Sequence, residues 1–290
     1  MATNTPFGQR LGLVLEGGAM RGIYTAGVLD VFLEAGIMPD VVVGVSAGAL
    51  HGCSYVAGQK GRSIRYYRKY RSDKHFMGLY SLLITGDVVG TKFCYEDIPL
   101  RLDPFNEAAF EKAPVDFYVT VTNVRTGKPE YILCDELKVG SKMDVIRAGA
   151  SMPLCSKMVE WNGNLYLDGG VSDSIPYAKM KDFGCRKSIV VLTQPAGYLK
   201  QPAAMAPFEA MYRKYPAFVE AMRGRDQMYN TEVCAVEQAA KQGDVFLIRP
   251  SKLLHVGRME HDIEVLNAQY ELGRQDARNQ MDAMREWIER

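Results

Sequence analysis

The stretch that most constrains what this chain can fold into is residues 41–50, VVVGVSAGAL. Val41, Val42, Val43 and Val45 form a short apolar β run, which ends in Gly44-Val45-Ser46-Ala47-Gly48 and passes directly into a helix-compatible segment. A serine between strand and helix, with glycine two positions before and two after, is the nucleophile-elbow pattern. A tight turn there projects the Ser46 hydroxyl from the sheet edge, and Gly44 and Gly48 supply the room the turn needs. The N–H of Ala47 opens the following helix, where it can meet a developing negative charge. Taken alone, the same residues also describe a strand-to-helix turn with a capping serine. The neighbouring chain has to separate the two readings.

Upstream, residues 11–16 (LGLVLE) read as a strand that is apolar on both faces, as a buried parallel strand is. Gly17-Gly18 breaks it, residues 21–35 read as a helix, and Gly36 supplies the C′ position. Strand, glycine turn, helix and strand in succession make a right-handed βαβ unit. Both glycine turns then lie at the carboxyl ends of parallel strands, where such sheets bind ligands. Residues 51–70 read as continued helix, 115–124 and 130–134 as an antiparallel hairpin, and 141–150 as a short helix. A second hairpin, 157–161 with 165–167, turns at Asn162-Gly163-Asn164 and runs into Asp168-Gly169-Gly170. Pro176 opens a helix, and residues 187–193 form another buried-type strand. Beyond Pro202 the texture is helical (207–214, 217–241 and 260–290), with one strand at 245–248.

Two segments admit two readings each. Residues 62–74 are basic and aromatic, which suits a phosphate- or membrane-facing patch. A solvated helix face over packed tyrosines is the commoner origin of such a run and is the favoured reading. Residues 76–89 (FMGLYSLLITGDVV) suit either a mobile cover over an acyl groove or core packing, with core packing favoured.

The 290 residues, 47% apolar and 24% charged, suit one large α/β domain, alone or with an extension. A net charge of +1 gives no electrostatic reason to expect nucleic acid. Neither a secretory signal nor an apolar run of about 18 residues is visible. The six cysteines are scattered without a CxxC pair, which suits reduced thiols rather than a disulfide framework or zinc site. The expectation is a cytoplasmic protein.

Three features stand in order: Gly17-Gly18-Ala19-Met20-Arg21-Gly22, Gly44-Val45-Ser46-Ala47-Gly48 and Asp168-Gly169-Gly170. Their order and spacing, over roughly residues 10–195, resemble the patatin-like phospholipase family, with its GGGxR/KG turn, GxSxG and DGG/A motifs. Residues 148–153 (AGASMP) are similar to that family's small-residue segment ahead of the aspartate. Ala19 departs from the pattern. It stands at the third glycine position, where it keeps the N–H but narrows the allowed backbone.

The resemblance implies an α/β fold: a three-layer α/β/α sandwich with a largely parallel central sheet in residues 1–200. A mainly helical C-terminal region, 201–290, is expected to pack on it. The resemblance also implies a lipid acyl hydrolase that cleaves carboxylic esters of phospholipids or related acyl lipids through a Ser–Asp dyad. Ser46 is the implied nucleophile and Asp168 the implied general base, with an acyl-enzyme intermediate. The N–H groups of Gly17, Gly18, Ala19 and Ala47 are the oxyanion-hole candidates. Gly169 and Gly170 let the backbone pack beside the serine. Arg21 either adds positive potential at the turn or pairs with a nearby acid to hold it. A carboxylate of ordinary pKa, about 4, is a poor base for a serine hydroxyl, so the site must be dry. No metal or cofactor is implied. The expected partner is an acyl lipid or ester, with peripheral membrane contact as an option and oligomeric state open.

Other readings remain in view. One is a catalytically silent lipid-binding or regulatory protein of the same fold. Another is an α/β-hydrolase-type esterase using Ser46, Asp168 and His255, whose chain order fits. Against it, the serine follows the second strand instead of a mid-sheet one, and His255 sits in Leu253-Leu254-His255-Val256, a structural or surface setting. A dinucleotide fingerprint would need glycine at position 19 and is weak.

Overall fold

The computed structural model describes residues 6–257 and 259–290. Among these residues the strands are β1 (Arg10–Leu15), β2 (Val41–Val45), β3 (Asp116–Asn123), β4 (Pro129–Leu133), β5 (Val159–Trp161), β6 (Asn164–Asp168), β7 (Cys185–Val191) and β8 (Val245–Ile248). The helices are α1 (Ile23–Ala35), α2 (Ala47–Val56), α3 (Arg62–Tyr70), α4 (Leu79–Thr85), α5 (Glu107–Lys112), α6 (Met143–Gly149), α7 (Ala206–Met211), α8 (Pro216–Arg223), α9 (Arg225–Gln242), α10 (Ile263–Asn279) and α11 (Met281–Glu289). A π-helical segment, Phe93–Leu102, precedes α5.

One sheet carries the strands in the order β5-β6-β3-β2-β1-β7-β8, with β4 also paired to β3. The β3-β2-β1-β7-β8 block is parallel, while β4, β5 and β6 run antiparallel to their neighbours. Side-chain alternation along the central strands feeds two cores. Leu13, Leu15, Val42, Ile189 and Val191 pack with Tyr24, Val28 and Phe32 of α1 and Ala49 and Cys53 of α2. Val14, Val41, Val43 and Val190 pack on the opposite face with Tyr229 and Val236 of α9. Helices thus cover both faces, and the molecule is a three-layer α/β/α sandwich.

The register along β3 determines where the site lies. Thr120 opposes Val45 of β2 and Tyr131 of β4, and Val121 opposes Asp168 of β6 and Glu130 of β4. Since β4 takes one edge of β3 at both residues, β2 and β6 must share the other. They run toward each other along it, and their carboxyl ends meet between Thr120 and Val121. Positions 46 and 168, far apart in the chain, become neighbours through backbone pairing.

The C-terminal segment is built into these layers. β8 extends the sheet beside β7, and α10 lies against α1 through facing glycines. A Cβ on Gly273 would stand 2.0 Å from the Tyr24 carbonyl oxygen, and one on Gly27 2.1 Å from that of Tyr270. Buried polar pairs lock the contact: the Tyr24 hydroxyl donates to Asp276 (3.1 Å), and the Tyr270 hydroxyl to Asp30 (2.6 Å).

Several expectations need correction. The helix expected through 51–70 divides into α2 and α3, because Gly58 and Gly61 take left-handed φ of 65° and 72° between them. Residues 217–241 divide at Gly224, and 260–290 at Gln280. After Pro176 only a 3₁₀ turn forms, Ala178–Lys181. The core reading of 76–89 holds for Phe76 and Val88 but fails for α4, whose Leu79, Leu83 and Ile84 are exposed. Residues 62–74 match the packed-tyrosine reading: Tyr66, Tyr67 and Tyr70 are buried. Their cations are engaged within the fold, Arg65 bidentate on Asp103 and Arg71 on the carbonyls of Met259 and Glu260. Among the described residues no helix is long and apolar enough to cross a membrane, and all six cysteines are free thiols.

The α1–α10 contact yields a stability test. The clash of an added methyl with the backbone of Tyr24 cannot be relieved by a rotamer change, so the helices must separate. Gly273→Ala should lower the unfolding free energy by about 1–3 kcal/mol in urea titration; a variant as stable as wild type would contradict the packing described.

Candidate active site

Ser46 sits at the junction of β2 and α2 with φ of 53° and ψ of −121°. This is a left-handed conformation that costs a non-glycine residue on the order of 1–3 kcal/mol and persists only where the surroundings enforce it. They do so tightly here. A Cβ on Gly48 would stand 2.3 Å from the Leu15 carbonyl oxygen, and one on Gly44 2.4 Å from the Ala49 Cα. Only glycine fits at either position, and the strained turn aims the hydroxyl out of the strand.

The Ser46 Oγ donates to Asp168 Oδ2 at 2.6 Å, and both residues are buried. The other carboxylate oxygen, Oδ1, accepts the Gly170 N–H at 2.8 Å. The backbone of Asp168 is held on both sides. Its N–H donates to the Ser151 carbonyl (2.9 Å), which gives the AGASMP segment its role, and its carbonyl accepts from Thr122 Oγ1 (2.8 Å). A Cβ on Gly169 would lie 2.2 Å from the Thr120 carbonyl oxygen, so the chain can turn this close to β3 only with glycine. Burial raises the Asp168 pKa, against the opposing pull of the Ser46 hydroxyl, the Arg225 charge, the Gly170 N–H and the Lys200 charge.

The first glycine turn lies against the serine: a Cβ on Gly17 would stand 2.8 Å from that of Ser46. Ala19 has φ of 49°, so the alanine at the third glycine position accepts the left-handed conformation despite its Cβ. Among the described residues, the N–H groups of Gly17, Gly18, Ala19 and Ala47 have no backbone acceptor. These N–H groups stand at the two glycine turns on either side of the serine. Arg21 lines the adjoining basin; its Nε is buried without a hydrogen-bond partner, and its charge lowers the pKa of Glu16 without a direct bond.

Two hollows meet at Ser46. One, of about 100 Å³, is apolar and runs between α2, α3, α6 and the π-helical segment, past Leu50, Tyr67, Phe76, Ile98 and Ile146. The other, of about 250 Å³, is mixed: Glu16, Arg21, Asp168, Lys200 and Arg225 line it together with apolar residues such as Phe208 and Met222. Ala19, Ser46 and Met152 line both. A molecule with an apolar tail and a polar end can place the bond between them at the serine.

Histidine plays no visible part. His255 and His261 are exposed, and His75 pairs with Asp73. His51 is buried with both ring nitrogens unpartnered, and burial holds its pKa down to about 4. Asp168 meets Ser46 directly, which leaves no room for an imidazole between them, so the Ser46/Asp168/His255 arrangement does not form. Among the described residues no group of three or more His, Cys, Asp or Glu side chains is placed to hold a metal.

The sequence reading missed the support that α9 gives. Arg225, Tyr229 and Glu232 share one face of that helix at i, i+4 and i+7. The Arg225 Nε donates to the Gly170 carbonyl (2.5 Å), and the Tyr229 hydroxyl to Glu16 Oε1 (2.9 Å). Glu232 Oε2 accepts the N–H groups of Ser174 and Ile175. Glu16 in turn accepts the Thr193 N–H at 2.6 Å, and burial raises its pKa. Burial, and next the neighbouring Asp173 carboxylate, raise the pKa of Glu232. The available signals were a glutamate closing an otherwise apolar strand and the helical spacing of three polar side chains.

Comparison with known proteins identifies the family. The model of the patatin-like phospholipase family matches residues 13–180, more than half of the chain, and the protein belongs to that family, whose chemistry is carboxylic ester hydrolysis. A second model, for a domain of unknown function (DUF6363), matches residues 215–289 and so contains α9 and α10. The uncharacterized protein YjjU of Escherichia coli is 28% identical over 273 residues, 91% of this chain and 75% of that protein. Lysophospholipase nte1 of Aspergillus terreus is 30% identical over 182 residues, and NTE1 of Saccharomyces cerevisiae 30% over 190. These alignments cover 61% and 63% of this chain but only 11% of either lysophospholipase. Among solved structures, VipD from Legionella pneumophila aligns with a TM-score of 0.48 at 13% identity, over 96% of this chain and 67% of that one.

The buried carboxylate makes a signed prediction. Its pKa is raised on folding, so its contribution favours the folded state below the unfolded pKa and is lost as pH rises through the folded one. At pH 7 the ionised group therefore opposes folding. Asp168→Asn, which retains an acceptor for the Gly170 N–H, should be more stable than wild type at pH 7, with the difference shrinking toward about pH 4. Denaturant titrations at the two pH values measure this, and a variant less stable at pH 7 would contradict it.

Proposed function

We propose that this protein is a serine acyl hydrolase that cleaves carboxylic esters of phospholipids or related acyl lipids through Ser46 and Asp168. The observation that carries the reading is the 2.6 Å hydrogen bond between the two side chains where an apolar hollow meets one that carries charged side chains. Asp168 takes the hydroxyl proton as Ser46 Oγ attacks the ester carbonyl. The N–H groups of Gly17, Gly18, Ala19 and Ala47 receive the negative charge on the carbonyl oxygen. One such donor is typically worth about 3 kcal/mol to a transition state. Asp168 then returns the proton to the departing alkoxide, and a water molecule, activated by the same carboxylate, releases the acid. A carboxylate becomes a competent base for this because burial raises its pKa. The lysophospholipase relatives support a lipid ester as substrate.

Peripheral contact of a cytoplasmic protein with a lipid surface belongs to the same reading. The exposed Leu79, Leu83 and Ile84 of α4 stand on a segment whose ends, Phe76, Met77 and Val89, line the apolar hollow.

A fluorophosphonate probe and a panel from short nitrophenyl esters to phospholipids test the proposal. Wild type should label and turn over, and Ser46→Ala should do neither. Asp168→Asn should lower kcat by roughly 10³-fold or more, and the wild-type kcat/KM should fall in acid with an apparent pKa above the ordinary aspartate value. A folded wild type that neither labels nor hydrolyses any ester would favour the silent lipid-binding protein instead.

A further inference from the structure

We propose that the apolar hollow measures the acyl chain: Arg62 and Phe105 close its far end and limit the acyl group to about eight to ten carbons. The inference rests on the acyl hydrolase reading and names the acyl length of its substrate. Neither residue belongs to the three glycine-bearing motifs that form the site.

The register of α2 supplies the ruler. Ser46, Ala47, Leu50 and Cys53 all line the hollow, and this helical spacing puts them along one face of α2. At about 1.5 Å per residue, the stretch from Ser46 to Ser54 spans about 12 Å. Ser54 is where the Arg62 guanidinium docks: Nη1 donates to Ser54 Oγ at 3.1 Å. An extended hydrocarbon with bonds of about 1.5 Å advances about 1.3 Å per carbon, so about nine carbons fill the distance.

The end of the hollow is firm. Arg62 is buried, and its Nε and Nη2 donate to the Asp103 carbonyl at 3.3 and 2.9 Å. The guanidinium also lies against the rings of Tyr66 and Phe105, 5.5 and 5.4 Å from their centres. A chain that pushed it aside would break these bonds inside the fold and strand a buried charge, which costs more than a further methylene gains. Phe105, with Pro99 and Met143, lines both this hollow and a neighbouring one of about 210 Å³ beside the exposed Leu100. Its ring is part of the partition, and removing it joins the two spaces.

The test is kcat/KM for straight-chain nitrophenyl esters from butanoate to hexadecanoate, presented in a fixed excess of one non-ionic detergent. Wild type should gain about threefold for each added carbon up to octanoate or decanoate. It should then fall by about tenfold or more toward hexadecanoate. Phe105→Ala should raise the hexadecanoate-to-octanoate ratio by about tenfold or more, and Leu50→Phe, one turn of α2 from Ser46, should move the optimum toward butanoate. Each readout is a ratio within one protein, so a general loss of activity cancels. A wild-type rise that continues through hexadecanoate, or a ratio that folded Phe105→Ala leaves unmoved, would overturn the ruler while leaving ester hydrolysis intact. If Phe105→Ala does not fold, an optimum that Leu50→Phe fails to shorten would do the same. A length shift produced by Phe208→Ala and by neither of these variants would place the chain in the other hollow and overturn it too. A folded wild type that hydrolyses no ester and takes no fluorophosphonate label would overturn the underlying reading as well.

Discussion

One edge of β3 accepts two strands, β2 running with it and β6 against it, and their carboxyl ends meet between Thr120 and Val121. Everything at the site depends on that shared edge. Backbone hydrogen bonds fix the register, the register brings positions 46 and 168 together, and the strained elbow with the glycine-tight turn after Asp168 directs both side chains into one hollow. The 122-residue separation between serine and aspartate is closed by sheet pairing, which is stiffer than any contact between side chains alone.

That rigidity has an electrostatic consequence. A carboxylate in water binds a proton too weakly to draw one from a serine; buried between β3 and the glycine turn, Asp168 binds one more tightly. Burying an ion is costly, and the fold moderates the cost with the Gly170 N–H and the nearby charges of Arg225 and Lys200. Those charges come from the C-terminal third of the chain. α9 braces the aspartate turn through Arg225, the glycine turn through Tyr229 and Glu16, and the segment that follows the aspartate turn through Glu232. The region matched as a domain of unknown function is in this protein part of the site's wall.

Much of this was legible in the sequence. Valine-rich runs ending in glycine turns gave the parallel strands, and three ordered motifs gave Ser46, Asp168 and the turn donors, all of which the fold brings together. What the sequence hid was of two kinds. Helix breaks at Gly58, Gly61 and Gly224 looked tolerable inside periodic segments, and only packing shows that the chain must bend there. The charges of Lys200 and Arg225 resemble any surface charge until α9 is docked, because the meaning of a cation depends on what faces it. The α4 leucines misled for a similar reason: apolar residues suggest a core, yet this short helix leaves them exposed.

The most direct test of the account is to trap the acyl group itself. Wild-type protein mixed with a slowly released ester and quenched within one turnover should gain the acyl mass, and peptide mapping should place it on the peptide carrying Ser46. An acyl adduct on another residue, or full turnover with no adduct at any time, would contradict the claim that the hydroxyl held by Asp168 is the attacking group.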